Sequence, residues 1–409
     1  MYSHADPKTR SLLSVSAVRS SFSMLHIAAA VLSAVILLSQ PAHAAESPLR
    51  AHLQAKAAAI EAQRASIAKS QVIHAKVIAE SRSGVRRLRL GDDGKFQYIS
   101  DSDRGFAGYN LGAGSWDSLV GTLASAVADE YLVQAAVRKV PLDSLDIVFT
   151  SIPQRKSENL SYPNNLSYVA YIDSPVSDAE LQALKEAVHA NSSAIDLVTK
   201  AQQVSHATVE YKRTPIVRDR ELPPGLRDFI VEEKIPAVQG RRERSRETSV
   251  QSAQPTQPRG LVAHTRVEPQ TGLRQTFLGD DGYHLQLHDS APGLLGYGLA
   301  PTVEEHLLGV TGTCLTHIFE VQAATRNVLL DSIELTVDAE LTPRFGKGLT
   351  APARFKNIRY NVRIESPESE QTIDALRQAV EATCPLYNLI KDEQKLEGKI
   401  VHAAYKKVT

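Results

Sequence analysis

Cysteine is almost absent from this chain: 409 residues hold two cysteines, two methionines and a single tryptophan. Net charge is absent too, with 46 basic residues against 46 acidic ones. That balance argues against nucleic acid or an anionic membrane as the main partner. No glycine loop of phosphate-binding type and no nucleotide fingerprint occurs. His306 and His317 lie eleven positions apart, close to three helical turns, but no third residue completes a zinc set. Ordinary burial or exposure is the expectation for both. Long apolar runs are lacking as well. The best, Ile27 to Leu38, is too short for a comfortable membrane span. Lys8, Arg10 and Arg19 precede it and Ala42-His43-Ala44 follows, a small-x-small cleavage pattern. Residues 1–44 therefore read as a signal peptide cut after Ala44, leaving no membrane span in the mature form. An uncleaved anchor is the alternative. No cysteine stands at the junction, which argues against a lipoprotein.

What is present is a repeat. GVRRLRLGDDGKF from Gly84 and GLRQTFLGDDGYH from Gly272 begin two stretches that match at a constant offset of 188, identical at 24 of 62 positions without a gap. Chance would give about four, so the chain contains an internal duplication. A second block, Ile172 to Val198, matches Ile364 to Ile390 at offset 192. The four extra residues fall in a loop between strands, where insertions cost little. The shared GDDG reads as a hairpin turn. Residues 45–70, rich in Ala, Gln and Lys, form an N-terminal arm, a solvated helix or a loose segment. The first copy spans 71–212 and the second 260–409. Between them 213–259, with RDRELPPGLRD and GRRERSRE, reads as a charged, Pro-rich linker, mostly extended or disordered, in which Phe229-Ile230-Val231 docks locally.

Both cysteines lie in the second copy. Apolar residues from Pro301 to Arg326 recur at helical spacing around Cys314, and Gly309 and Gly312 suggest close approach to a partner helix. Ile333 to Leu341 and Ile358 to Ile364 alternate as strands. A helix over Glu370–Ala382 follows, then Cys384-Pro385, where proline at a first helical position makes Cys384 the N-cap. The first copy has Ala126 and Ser192 at the two cysteine positions and so has no thiol. Arg86 matches Arg274, and Asp117 matches Glu305.

The pattern E-x-L-L-x-x-x-x-x-C at Glu305 to Cys314, then two strands and T-C-P-x-x-N at Thr383 to Asn388, resembles the OsmC/Ohr family (osmotically inducible and organic hydroperoxide resistance proteins). The turn before the helix, D-x-x-P-G-x-x-G and then P-x-x-E-E, lacks the paired glycines common there. The resemblance covers about residues 260–409. It implies an α+β fold in which each domain is an antiparallel sheet wrapped on central helices. The two OsmC-like domains would form an intrachain pseudo-dimer with a degenerate first half, and the molecule could be monomeric. It also implies a thiol-dependent peroxidase for organic hydroperoxides; relatives of this type work in the cytosol, whereas the signal peptide of this chain directs it to a bacterial periplasm. Cys314 would attack the peroxide and become a sulfenic acid, and Cys384 would resolve it as a disulfide. Arg274 would favour the thiolate, with Glu305 holding that arginine. Arg86 and Asp117 of the first copy stand as alternates for those two roles. No cofactor is implied, only an external dithiol reductant whose identity the sequence does not give. Three bland readings compete. Cys314 and Cys384 form a structural disulfide in a non-catalytic OsmC-fold binding or scaffold protein; the two arginines are solvated strand residues; Glu305 and Asp117 are first-turn helix carboxylates.

Overall fold

The computed structural model describes residues 47–406, apart from 68, 158–159, 218, 220, 252–259 and 345–351. The expected signal peptide lies outside the described residues. Helix α1 (Pro48–Ile67) leads into β1 (Gln71–Ala79), β2 (Arg86–Leu90), β3 (Phe96–Ser100), α2 (Ser115–Arg138) and β4 (Ser144–Ser151). A small hairpin, β5 (Gln154–Ser157) and β6 (Leu160–Tyr162), precedes β7 (Leu166–Asp173), α3 (Asp178–Asn191), α4 (Ser193–Thr199) and β8 (Val204–Arg213). Next come α5 (Leu226–Phe229), a π-helical stretch (Ile230–Lys234) and α6 (Ile235–Gln251). The second copy follows as β9 (Leu261–Val267), β10 (Arg274–Leu278), β11 (His284–His288), α7 (Val303–Arg326), β12 (Ser332–Leu341) and β13 (Phe355–Ser366). It ends with α8 (Glu370–Thr383), α9 (Pro385–Lys391) and β14 (Leu396–Val401). Helices α2 and α7 begin and end 188 apart, and α3/α8 and α4/α9 begin and end 192 apart, the two sequence offsets. No helix among the described residues is long and apolar enough to cross a membrane.

Neither copy keeps its sheet to itself. One six-stranded sheet runs β3-β2-β1-β12-β13-β8 and the other β11-β10-β9-β4-β7-β14. Each sheet therefore joins three N-terminal strands of one copy to the two long strands of the other. The joints are β1 against β12 and β9 against β4, both antiparallel. This departs from a sheet per domain. It departs too from all-antiparallel order, because β8 and β14 each return parallel to a strand of the opposite copy. The physical reason is burial. Strand β12 turns Ile333, Leu335, Val337 and Ala339 to the core, and β1 turns in Ala75, Val77 and Ala79. Pairing them makes one continuous apolar face. Residues 47–409 accordingly behave as one compact unit.

Helix α7 lies on that face. A Cβ built on Gly312 would stand 2.8 Å from Val77 Cγ2 and one on Gly309 2.6 Å from Leu88 Cδ1. The glycines serve the approach of the helix to the sheet rather than to a partner helix. The two halves of the chain thus share a core in which each central helix rests on strands borrowed from the other copy.

The arm and the linker prove to be the same device used twice. Arg50 pairs with Asp143 and Arg227 with Asp331, carboxylates 188 apart in the two copies. Downstream on each helix a lysine is fully buried, Lys56 in one half and Lys234 in the other. The spacing is six residues in the arm and seven in the linker, and the π-helical stretch takes up the extra residue. The expectation of a mostly extended linker is thus corrected over residues 226–251, where Leu226, Phe229, Ile230 and Val238 bury into the second half.

Candidate functional site

Cys384 is the N-cap of α9, with Pro385 at the first helical position and no cap bond from its own side chain. Its backbone N–H closes α8 on Val380 O at 2.7 Å. Asn388 Nδ2 reaches back to Glu381 O and Cys384 O, both at 2.9 Å, which holds the α8–α9 corner. Gln322 on α7 ties to Thr383 Oγ1 at 2.8 Å. These bonds set Cys384 Sγ 3.4 Å from Cys314 Sγ on α7. Both cysteines are free thiols, 2% and 0% exposed.

The S–H contact runs from Cys384 to Cys314. Burial pushes the Cys384 thiol well above its usual range, and the neighbouring Cys314 adds to this. The backbone N–H groups of Leu386 and Tyr387 pull the other way. Cys384 therefore keeps its proton and the Cys314 sulfur is the acceptor. Among the described residues no arginine or carboxylate bonds to either sulfur. In the first copy Ser192 spends its hydroxyl on the Ile195 N–H at 3.2 Å, an ordinary helix cap. Ala126 fills the other position.

Strand exchange relocates the arginines. Arg274 does not serve the cysteine of its own copy; β10 carries it to α2. There it pairs with Asp129 at 3.0 Å and bonds Ser125 and Ser290, next to Ala126. Arg86 is the guanidinium carried to α7. It bonds Gly84 O and Ser102 Oγ and faces Glu320 at 3.8 Å. Glu320 is six residues beyond Cys314, about 9 Å along the helix. Both arginines are fully buried, so neither is a solvated strand residue. Glu305 closes a capping box with Thr302, accepting from Thr302 N at 2.9 Å. Arg274 is held by Asp129 instead. Asp117 lies in the first turn of α2.

Sequence reasoning missed the lysines. Lys234 donates to Glu320 at 3.1 Å, and Lys56 donates to Ser290 at 2.9 Å. The repeated Leu-Arg at 49–50 and 226–227 was the available signal. His306 and His317 do not share a site. His306 Nδ1 meets His288 Nε2 at 2.7 Å, while His317 Nδ1 meets Ser102 Oγ at 3.0 Å. Burial lowers all three imidazoles, His306 to about 3. Among the described residues no three His, Cys, Asp or Glu side chains group as a metal site.

A solved structure of an organic hydroperoxide resistance protein OsmC from Legionella pneumophila is 16% identical. The match covers 36% of this chain and 98% of that one, with a TM-score of 0.27, too slight a likeness to carry an argument. No curated protein matches the chain. The family model described as OsmC-like protein matches residues 296–399, the segment that holds both thiols. Over that segment the chain is similar to the OsmC family.

Proposed function

We propose that the Cys314–Cys384 pair is a peroxide-reducing thiol couple. The observation that carries it is the 3.4 Å approach of two free sulfurs held by a helix corner and a central helix. A disulfide needs about 2.05 Å between sulfurs, so a closure of about 1.4 Å suffices. In the reaction the Cys314 thiolate attacks the distal peroxide oxygen and the O–O bond breaks. Sulfur is oxidised to sulfenic acid, and the departing alkoxide takes a proton and leaves as alcohol. The Cys384 sulfur then attacks the sulfenic sulfur, and its proton leaves with the hydroxyl as water, giving the disulfide. An external dithiol returns the pair to thiols. If residues 1–44 direct export, that donor works outside the cytoplasm. Both sulfurs are buried, so the α8–α9 corner opens to admit the peroxide. The OsmC-like match supports a redox, peroxide-resistance role for this segment.

A second reading has its own support. Two fully buried sulfurs without a charged partner also suit a permanent structural disulfide in a binding or scaffold protein. Titration of free thiols with cumene hydroperoxide and with hydrogen peroxide separates the two. The couple loses both thiols for one equivalent of peroxide. Cys384→Ser stops at a dimedone-reactive sulfenic acid, and Cys314→Ser is inert. Thiols already oxidised as isolated, and resistant to mild reductant, would sink the peroxidase reading.

A further inference from the structure

The corner that carries Cys384 is tied to a strand of the other copy. Strand β8 runs parallel to β13, with Val204 beside Ile358 and His206 beside Tyr360. Two of its residues reach the corner on either side of the cysteine. Three positions after Cys384, Tyr387 donates its hydroxyl to Val204 O at 3.1 Å. Three positions before it, Glu381 stands 3.2 Å from His206 Nδ1, and Arg377 Nη1 stands 3.4 Å from the same nitrogen. A protonated Nδ1 faces the carboxylate and a bare one accepts from the guanidinium, so either tautomer of His206 has a partner on α8. Tyr360 and Arg377 hold Glu381 in place, at 2.7 Å and 2.9 Å.

The half without thiols supplies the comparison. There β14 returns beside β7 in the same register, Leu396 on Leu166 and Gly398 on Tyr168. The strand is hinged alike in both halves: Gln202 N bonds Ile390 O and, 192 positions on, Gln394 N bonds Val198 O, each at 2.9 Å. The side chains differ. Ile195 stands in the place of Tyr387 and has no hydroxyl, Gly398 stands in the place of His206, and His189 replaces Glu381. His189 Nε2 lies 2.8 Å from the Tyr168 hydroxyl. A Cβ on Gly398 would fall 2.5 Å from that hydroxyl, so no side chain fits there. Lys185 Nζ reaches Gly398 O at 3.3 Å, a tie to the first helix of the corner. Ties that bracket the corner on both sides are thus found, among the described residues, only in the half that has thiols. The shared fold does without them in one half, so folding does not require them in the other.

We propose that β8 is a latch on the thiols: the strand lent by the thiol-free copy keeps Cys314 and Cys384 closed in, and release of its ties to Tyr387 and Glu381 lets the α8–α9 corner open. The inference rests on the reading that a peroxide reaches the pair, but it concerns access alone. When opening is fast and reaction slow, any reagent attacks at a rate proportional to the open fraction. One hydrogen bond of typical net strength then changes that rate about two- to tenfold. The test is the rate of thiol loss in the reduced full chain with 4,4′-dithiodipyridine, a neutral disulfide reagent, and in parallel with cumene hydroperoxide. Tyr387→Phe should speed the reaction with the disulfide reagent about two- to tenfold. His206→Ala, at a more exposed tie, should speed it about twofold, and the double variant more than either. Tyr211→Phe is the control. It removes a hydroxyl bond to Glu368 O at the other end of the same strand, about 23 Å from Val204, and should leave the rate unchanged. Rates unaltered in both latch variants, or raised as much by Tyr211→Phe, would overturn the latch. Faster reaction with the disulfide reagent in the latch variants, while cumene hydroperoxide consumes no thiol in any chain, would support the latch and overturn the peroxide reading. A gain with both reagents would support both.

Discussion

Oxidising the two thiols to a disulfide should stabilise the molecule by an amount the chain length sets. The cysteines are 70 positions apart. Cross-linking a loop of that size removes about 15 cal/mol/K from the unfolded chain, or about 4.4 kcal/mol at 25 °C. Native-state strain subtracts from this, and the closure of about 1.4 Å is small enough for a helix corner to absorb. Unfolding entropy near the midpoint is roughly 2.1 cal/mol/K per residue, so some 360 folded residues give about 0.76 kcal/mol/K. The midpoint should therefore rise by about 6 °C. Differential scanning calorimetry on the reduced protein and on protein treated with one equivalent of cumene hydroperoxide reads it directly. Cys384→Ser serves as the control that should not move. A midpoint that is unchanged or lower after stoichiometric loss of both thiols would show that the corner cannot close without strain as large as the entropy gained. The geometric argument for a reversible couple would then fail.

Other outcomes follow from the same packing. Gly312→Ala gains about 1 kcal/mol of helix propensity but overpacks the sheet by about 1–3 kcal/mol, so urea unfolding should show a net loss. Gly240→Ala in α6, where a Cβ meets only Arg244 Nη1 at 3.3 Å, should instead be neutral or gain up to about 1 kcal/mol; the same sign for both variants would refute the packing account. Arg227→Met should cost about 3 kcal/mol, because Arg227 is nearly buried against Asp331 and carries bonds to Ile216 O and Pro215 O. Arg50→Met, at a pair about one third exposed, should cost under about 1 kcal/mol in the same assay. His306 is lowered by burial from 6.5 to about 3. The unfolded chain therefore binds its proton first, and stability falls as pH drops from about 6.5 towards 3, by up to about 4 kcal/mol. His306→Gln should flatten that limb of stability against pH, and an unaltered slope would show that other groups drive the acid loss.

Much of the secondary structure was legible because it is local. Alternation located β12 and β13, the proline after Cys384 marked the start of α9, and the constant offsets marked the duplication. The linker misled because its charge density hides a short apolar face, Leu226, Phe229 and Ile230, that becomes visible only against its partner surface. Gly309 and Gly312 announced close approach, but to a partner helix, whereas the side chains they make room for stand on the sheet. The arginines were readable as a matched pair, yet not which helix each would meet.

The sequence by itself determined that there are two copies, that only one holds thiols, and that a corner and a helix would present them. These follow from identity at fixed spacing and from residue chemistry. Only the tertiary structure decided that the copies exchange strands, which sends Arg274 to the silent helix and Arg86 to the helix of Cys314. Pairing between strands depends on which apolar faces complete each other across hundreds of residues, and no local pattern in either strand carries that choice.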